Sequence, residues 1–320
     1  MDSADDDSIA YIDDDAADPR GERSDIRDGT AVGDPEATAA FDRDAERALV
    51  ARAVAGDQNA ISQVVRQLQD PLYRLALRMV GRPTEAEDAT QEILLRVIGN
   101  LASWRAEAKL LTWAYRVGVN YLLNLRRQSP QEAAQLTFDR FGEGLADGLA
   151  AEDYRGPQSA LLSAEVRLNC SQAMLQCLAR DERIAFVLGD VFELSSTDAA
   201  WILGITAPAY RKRLERAKKR IGVFLRATCG VANPDAFCRC PRRVDKAVAL
   251  GRINPDKPVF ARHPVSPGGR TVVAAEDQMI RLHDAAAVLR AHPDYAVPQA
   301  KVQAIEALLR SGRFPLLDQS

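Results

Sequence analysis

Ser195-Ser196-Thr197-Asp198-Ala199-Ala200-Trp201-Ile202-Leu203-Gly204-Ile205-Thr206 decides how this chain folds. The segment opens on a serine followed three residues later by an aspartate, the order in which a hydroxyl and an acid cap the first turn of a helix. It closes on a glycine, the residue that most readily ends one. A short helix and a tight turn follow from that. Beyond the turn, Tyr210, Leu214, Ala217 and Ile221 recur at steps of four, three and four, which places them in one apolar stripe on a second helix. Arg211, Lys212, Arg213, Arg216, Lys219 and Arg220 take the remaining surface. A helix that packs by one face and carries cations on the others suits the DNA major groove and its phosphates, so the pair reads as a helix-turn-helix. A basic helix that is merely solvated has the same pattern, and only the flanking sequence separates the two readings.

Outward from this pair, helical periodicity runs from about Leu161 to Leu225. Upstream it holds from Arg43 to Arg127, broken at Gly56, Pro71 and the Gly81-Arg82-Pro83 corner, which predicts several packed helices and no sheet. Residues 128–160 lose the period and gather Gly, Pro and acidic side chains, the chemistry of a linker. After Cys229 a proline-rich stretch leads to two amphipathic patterns, one around Ile280, Leu282, Val288 and Leu289, the other around Val302, Ile305, Leu308 and Leu309. The expected fold is therefore all-α, with an acidic disordered tail (1–42) and a four-helix-like first domain (43–127). A flexible linker (128–160) leads to a helix-turn-helix, winged-helix-like second domain (161–226), and a small helical extension (227–320) ends the chain.

Composition agrees. The 320 residues, 47% apolar and 27% charged, leave room for about two ordinary domains. The net charge of -3 hides an asymmetry, because residues 1–44 hold fifteen Asp/Glu against four Arg and the remainder carries +8. No stretch approaches the roughly 18 apolar residues of a membrane span, and Asp stands where a signal peptide has Lys or Arg; a cytoplasmic protein with no membrane partner is expected. Three histidines, all beyond the two domains, and no phosphate loop, GxSxG or HExxH pattern argue against an enzyme.

The flanks carry a resemblance. Leu178-Ala179-Arg180-Asp181-Glu182-Arg183-Ile184-Ala185-Phe186-Val187-Leu188, the helix-turn-helix, and Arg213-Leu214-Glu215-Arg216-Ala217-Lys218-Lys219-Arg220-Ile221 together resemble region four of bacterial sigma factors over about fifty residues. In the first domain, Asp88-Ala89-Thr90-Gln91-Glu92 resembles the region-two signature, and Thr112-Trp113-Ala114-Tyr115-Arg116-Val117-Gly118-Val119-Asn120 resembles the run that follows it. On residues alone, Ile93, Leu94, Val97, Ile98 and Leu101 make one face of that helix and Asp88, Glu92 and Arg96 the other, which an ordinary surface helix would also do. Motifs in order at family spacing identify the chain as similar to the extracytoplasmic-function sigma factors with a cysteine-containing C-terminal extension.

The resemblance implies a subunit that binds core RNA polymerase and directs promoter recognition and opening. Asp88, Gln91 and Glu92 would meet the beta-prime clamp helices, and the second domain would dock on the beta-flap. Trp104, Arg105, Lys109, Arg116, Asn120, Asn124, Arg126 and Arg127 would handle the minus-ten element, where exposed bases and phosphates need amides and cations. Arg211, Lys212, Arg213 and Arg216 would read the minus-thirty-five element, with an anti-sigma factor as a further partner. Two departures stand out: Ala207-Pro208-Ala209 opens the recognition helix without base-reading hydroxyls, and Val119 stands where the family usually has Arg. Trp113 is expected to belong to the core. The alternative reading is a stand-alone helix-turn-helix regulator that never joins polymerase.

No cofactor is required by this function, but Cys229, Cys238 and Cys240 could supply three of the four ligands of a tetrahedral zinc or another thiophilic metal. Candidates for the fourth are His263, Cys170 and Cys177. A redox pair, with thiolates favoured by Arg239, Arg242 and Arg243, and plain structural cysteines stay open as alternatives.

Overall fold

The computed structural model describes residues 35–125, 136–271, 290 and 292–310. The expected acidic tail, apart from helical backbone from Pro35 onward, lies outside them, as do Arg126, Arg127 and the first amphipathic pattern of the extension.

Asp57 ends the turn after α1 (Pro35–Val54) and starts α2 (Gln58–Val80), its carboxylate accepting from the amides of Asn59 at 2.9 Å and Ala60 at 3.2 Å. Gly81, at φ 82°, closes α2 in the left-handed conformation and returns its N–H to the Leu77 carbonyl. Pro83 then pre-sets the first turn of α3 (Pro83–Gly99). A 3-10 turn at Leu101–Ser103 leads to α4 (Leu110–Leu125). α2 packs on α3 and α4, and the stripe Ile93, Leu94, Val97, Ile98 and Leu101 is buried between them, as the spacing predicts. Pro71 sits inside α2 without ending it, since the helix is held on several sides by its neighbours.

The second domain comprises α6 (Ser159–Gln176), α7 (Arg180–Phe186) with a π turn at Val187–Val191, α8 (Ser196–Leu203) and α9 (Ala207–Thr228). Within the stretch read as linker, Phe138–Ala146 instead forms α5, because Phe138 packs tilted against Phe224 of α9 at 5.1 Å and Phe141 stacks on the same ring at 5.5 Å. The two domains pack against each other through α4 on α8 and α2 on α6 and α7. Arg183, almost fully buried, reaches across to the Met79 carbonyl of the first domain while its other donors hold the carbonyls of Leu175, Gln176 and Leu178 and the Gln176 side chain in its own. Five donors in a fixed fork all find oxygens, which is what permits a buried cation.

The extension continues from α9 through a loop, a 3-10 turn at Pro241–Arg243 and α10 (Val244–Ala249), and the last element among the described residues is α11 (Gln299–Arg310). It grips both domains. Glu165 of α6, 0% exposed, accepts from the amides of Val259, Phe260 and Ala261 at 2.7–3.1 Å. On the first domain, Asp70 accepts from Ser266 Oγ at 2.9 Å and from the Val297 amide at 3.1 Å, and His263 stacks on Tyr73 at 5.2 Å. α11 lies on α2 and α3, with Val302, Ile305 and Leu309 buried and Arg66 paired to Glu306 at 3.1 Å.

Candidate nucleic-acid interface

The helix-turn-helix is assembled as its capping residues direct. Ser195 Oγ accepts from the Asp198 amide at 3.1 Å and donates to the Asp198 carboxylate at 2.7 Å, and Gly204 at φ 63° ends α8. Thr206 caps α9, Pro208 occupies its first turn, and Tyr210, Ala217 and Ile221 are buried with Leu214 half-buried. Tyr210 donates its hydroxyl to the Ala185 carbonyl at 3.0 Å, and burial raises its pKa to about 12. Four cations of α9 are held by α7 and the turn after it: Arg213 by Asp181 at 3.5 Å, Arg216 and Arg220 by Glu182 at 3.4 and 2.8 Å, and Lys218 by Asp190 at 2.9 Å. Arg211 and Lys212, in the first turns of α9, are exposed and make no ion pair among the described residues. The N-terminal turns of a recognition helix are those that reach base edges.

In the first domain Arg116, Asn120 and Asn124 recur every fourth residue and share one edge of α4. The two asparagines are exposed, whereas Arg116 lays its guanidinium over the Trp201 ring of α8 at 4.7 Å. Arg105 and Lys109 are exposed on the loop before α4. Trp104, expected among the minus-ten contacts, has its indole buried and donating to the Ala108 carbonyl at 3.1 Å, so it braces that loop from within. Ala106, between them, is held at φ 57°, a conformation that costs an L-residue about 1–2 kcal/mol. Trp113 is half-buried against the core. Val119 is fully packed, so that position faces the interior and offers no phosphate contact.

On α3, Asp88 is 73% exposed, Gln91 is half-buried, and Glu92 pairs with Arg96 at 2.8 Å. Lys301 of α11 reaches Asp88 at 3.2 Å and Glu87 at 3.9 Å, a contact between residues more than two hundred positions apart that no local pattern foretells.

Among the cysteines, none of the five forms a disulfide. Cys229 ends α9 and stands opposite Cys238 in an isolated backbone bridge, with Gly230 N donating to Cys238 O at 2.9 Å and Cys238 N to Thr228 O at 3.1 Å. Cys240 opens the 3-10 turn, which packs on α6, the helix that carries Cys170. Burial, then the neighbouring thiols of Cys229, Cys240 and Cys238, pushes the Cys170 thiol well up. Burial, then Cys240 and Cys229, pushes Cys238 up to about 12. At Cys238 burial outweighs the opposing pull of Arg243 and Arg239. Arg239 holds the carbonyls of Pro234 and Ala236, Arg242 pairs with Asp153 at 3.2 Å, and Arg243 donates to Gly144 and Asp147 carbonyls. His263 spends its ring on Tyr73 and the Ala296 carbonyl, and Cys177 has Arg183 and Arg220 for charged neighbours and no other thiol. Of the three candidates for a fourth ligand, Cys170 is the one beside the cluster. Among the described residues no three such groups are already drawn in as a metal's ligand set, and no helix is long and apolar enough to cross a membrane.

Comparison with known proteins gives the same two-part division. Residues 64–130 match the Sigma-70 region 2 family and residues 168–221 the Sigma-70 region 4 family. The chain is 30% identical over 178 residues to the ECF RNA polymerase sigma factor SigW of Bacillus subtilis, covering 53% of this chain and 91% of that one. It is 28% identical over 180 residues to the RNA polymerase sigma-H factor of Pseudomonas aeruginosa, covering 55% and 91%. Among solved structures, CnrH in complex with the cytosolic domain of CnrY aligns with a TM-score of 0.42 at 23% identity, over 57% of this chain and 98% of that one. Neither family match extends past residue 221.

Proposed function

The chain belongs to the ECF family of RNA polymerase sigma factors, and on that premise we propose how its surfaces divide the work of starting transcription. The protein is a sigma factor that directs transcription initiation through its region-two and region-four domains; the finer assignments are these. The acidic edge of α3, Asp88, Gln91 and Glu92, meets the polymerase clamp. Arg105, Lys109, Asn120 and Asn124 line the path of the minus-ten strand, joined by Arg116 when it leaves Trp201. Arg211 and Lys212 enter the minus-thirty-five groove, and Arg213 and Arg216 contact its phosphates, the ion pairs to α7 fixing the pitch of α9 meanwhile. Trp104 is a positioning residue for the loop that carries Arg105 and Lys109.

The observation that supports this division most directly is the charge pattern of α9. Arg213, Arg216 and Arg220 are paired to acids of α7 and Lys218 to Asp190 in the turn after it, whereas Arg211 and Lys212 in the leading turns are exposed with no ion pair among the described residues, as Lys219 and Arg226 are farther along.

The test is binding to core polymerase and run-off transcription with purified components. Glu92→Lys, on the exposed side of α3, is expected to lower association with core polymerase at least tenfold and to remove run-off transcripts, with minus-thirty-five DNA binding by the chain unchanged. Wild-type transcription by the Glu92→Lys protein would overturn the assignment of this edge. Specific DNA binding by the wild-type chain without any polymerase-dependent transcript would instead favour action as a separate regulator.

A further inference from the structure

Four of the five cysteines of this chain occupy one corner of the fold, although they come from three places in the sequence. Cys170 sits two-thirds of the way along α6, Cys229 at the end of α9, and Cys238 and Cys240 on the loop that turns back from α9. Backbone geometry brings them together. The bridge between Cys229 and Cys238 sets those residues side by side, and the single residue between Cys238 and Cys240 keeps the third close. The turn that Cys240 opens lies on α6, and Cys240 packs against an apolar cluster that includes Leu162 and Val166 of that helix, Val166 standing one helical turn from Cys170. The closeness of the bridge requires glycine at 230, because a Cβ there would stand 2.6 Å from the Cys238 carbonyl oxygen.

We propose that Cys170, Cys229, Cys238 and Cys240 are the four ligands of one tetrahedral site for a soft divalent cation of the zinc class. Three features select a metal over other uses of these thiols. The segment they hold has little regular structure of its own. Between Cys229 and Arg270 the regular structure is one 3-10 turn and a six-residue helix, and the apolar cluster there is small, which is the setting in which proteins use a metal as a core. Four sulfurs from one helix and one loop suit a single tetrahedral ion, which uses all of them at once; disulfides would have to sort them into two pairs, each with its own restricted geometry. A doubly negative four-thiolate site also needs compensation, and Arg243, nearly buried, lies within electrostatic reach of Cys170 and Cys238. The sulfurs are not yet gathered to ligand distance; rotation of Cys side chains between staggered wells moves them without moving the backbone. The ion would join α6 of the promoter-reading domain to the extension at a second point, beside the Glu165 contact.

The test uses the full-length chain purified under reducing conditions without chelator. One zinc per chain is expected by elemental analysis. Exchange for Co2+ should give the intense visible bands of a tetrahedral ion and a near-ultraviolet sulfur-to-cobalt band scaled to four thiolates. Cys170→Ser should weaken Co2+ binding by at least about tenfold and reduce the charge-transfer band in proportion to three thiolates. Cys177→Ser, which removes the buried thiol outside the cluster, should leave both unchanged. The wild-type stoichiometry and spectrum need no variant to fold. A metal-free wild-type chain that gives no tetrahedral cobalt spectrum overturns the proposal. So does a Cys170→Ser protein that binds Co2+ as tightly as wild type, which would leave at most a three-thiol site, or an equal loss from Cys177→Ser.

Discussion

His292 is a buried imidazole hydrogen-bonded to Ser171 of α6, with its edge against Tyr295. Burial, and then the positive charges of Arg78 and Arg270, hold its pKa well below the ordinary 6.5. The folded chain therefore keeps it neutral, whereas the unfolded chain protonates it near 6.5. Stability from this residue is complete above that pH and is lost as pH falls below it, by up to about 1.4 kcal/mol per unit until the folded pKa is reached. Burial shifts His263 in the same direction, against the pull of its bond to Ala296. Both imidazoles belong to the extension, so acid should loosen it first. Limited proteolysis at pH 7.5 and 5.5 is expected to cut the extension faster at the lower pH, and His292→Asn should flatten that dependence. An equal rate for wild type at both values would remove His292 from the account.

Among the elements, α9 is where a binding prediction belongs. Arg211 and Lys212 hold nothing else in place, so replacing either with alanine should change thermal stability by less than about 0.5 kcal/mol. A side chain that neutralises a phosphate contributes about 1 to the slope of log affinity against log salt, and its removal lowers the slope by that amount. Removal of one that reads a base edge costs about 1–3 kcal/mol and relaxes preference at a single position. Titrations of minus-thirty-five duplexes at several salt concentrations would separate the two roles; an unchanged slope and affinity for both variants would exclude the leading turns of α9 from DNA. α9 is also the element most legible in the sequence, since its stripe, its cap and the turn before it are local patterns, and the buried face of α3 is readable for the same reason. Legibility fails where partners are distant. Glu165 stands in an ordinary helical run, and the amides that donate to it come from Val259, Phe260 and Ala261, far down the chain. α5 is hidden in a glycine-rich acidic stretch because Phe138 and Phe141 find their partner, Phe224, only in the folded chain. At Trp104 the family position implies a DNA contact, and the local loop also takes up the indole through its bond to the Ala108 carbonyl, which the motif does not foretell.

For the whole molecule, size sets a constraint that no single residue carries. With α4 on the minus-ten element and α9 on the minus-thirty-five, about 25 base pairs at 3.4 Å each separate the two reading surfaces by roughly 85 Å. From Phe41 onward the chain is one compact unit, and a unit of that size has a radius of gyration of about 19 Å and so a diameter of about 50 Å. The arrangement seen here, with α4 packed on α8 and Arg116 over Trp201, must open before both elements are engaged. The extension opposes opening because it grips α6 through Glu165 while α11 sits on α2 and α3, with Lys301 on Asp88. Of the forces that seat α11, the buried side chains of Val302, Ile305 and Leu309 outweigh the exposed ion pair, which contributes at most about 1 kcal/mol. Ile305→Asp should therefore unseat α11 and Lys301→Glu should only loosen it. While the open state is the minor one, each kcal/mol removed from the closed state raises its population, and with it the apparent affinity for core polymerase, about fivefold. Ile305→Asp is expected to bind core polymerase and initiate run-off transcription more strongly than wild type, with Lys301→Glu between them and helical circular dichroism retained in both. Weaker or unchanged binding by a folded Ile305→Asp protein would mean that α11 caps the first domain without restraining it, and that opening is limited instead by the contacts between the two domains, among them the hydrogen bonds of Arg183 to Met79, Gln172 to Leu77 and Arg180 to Leu123.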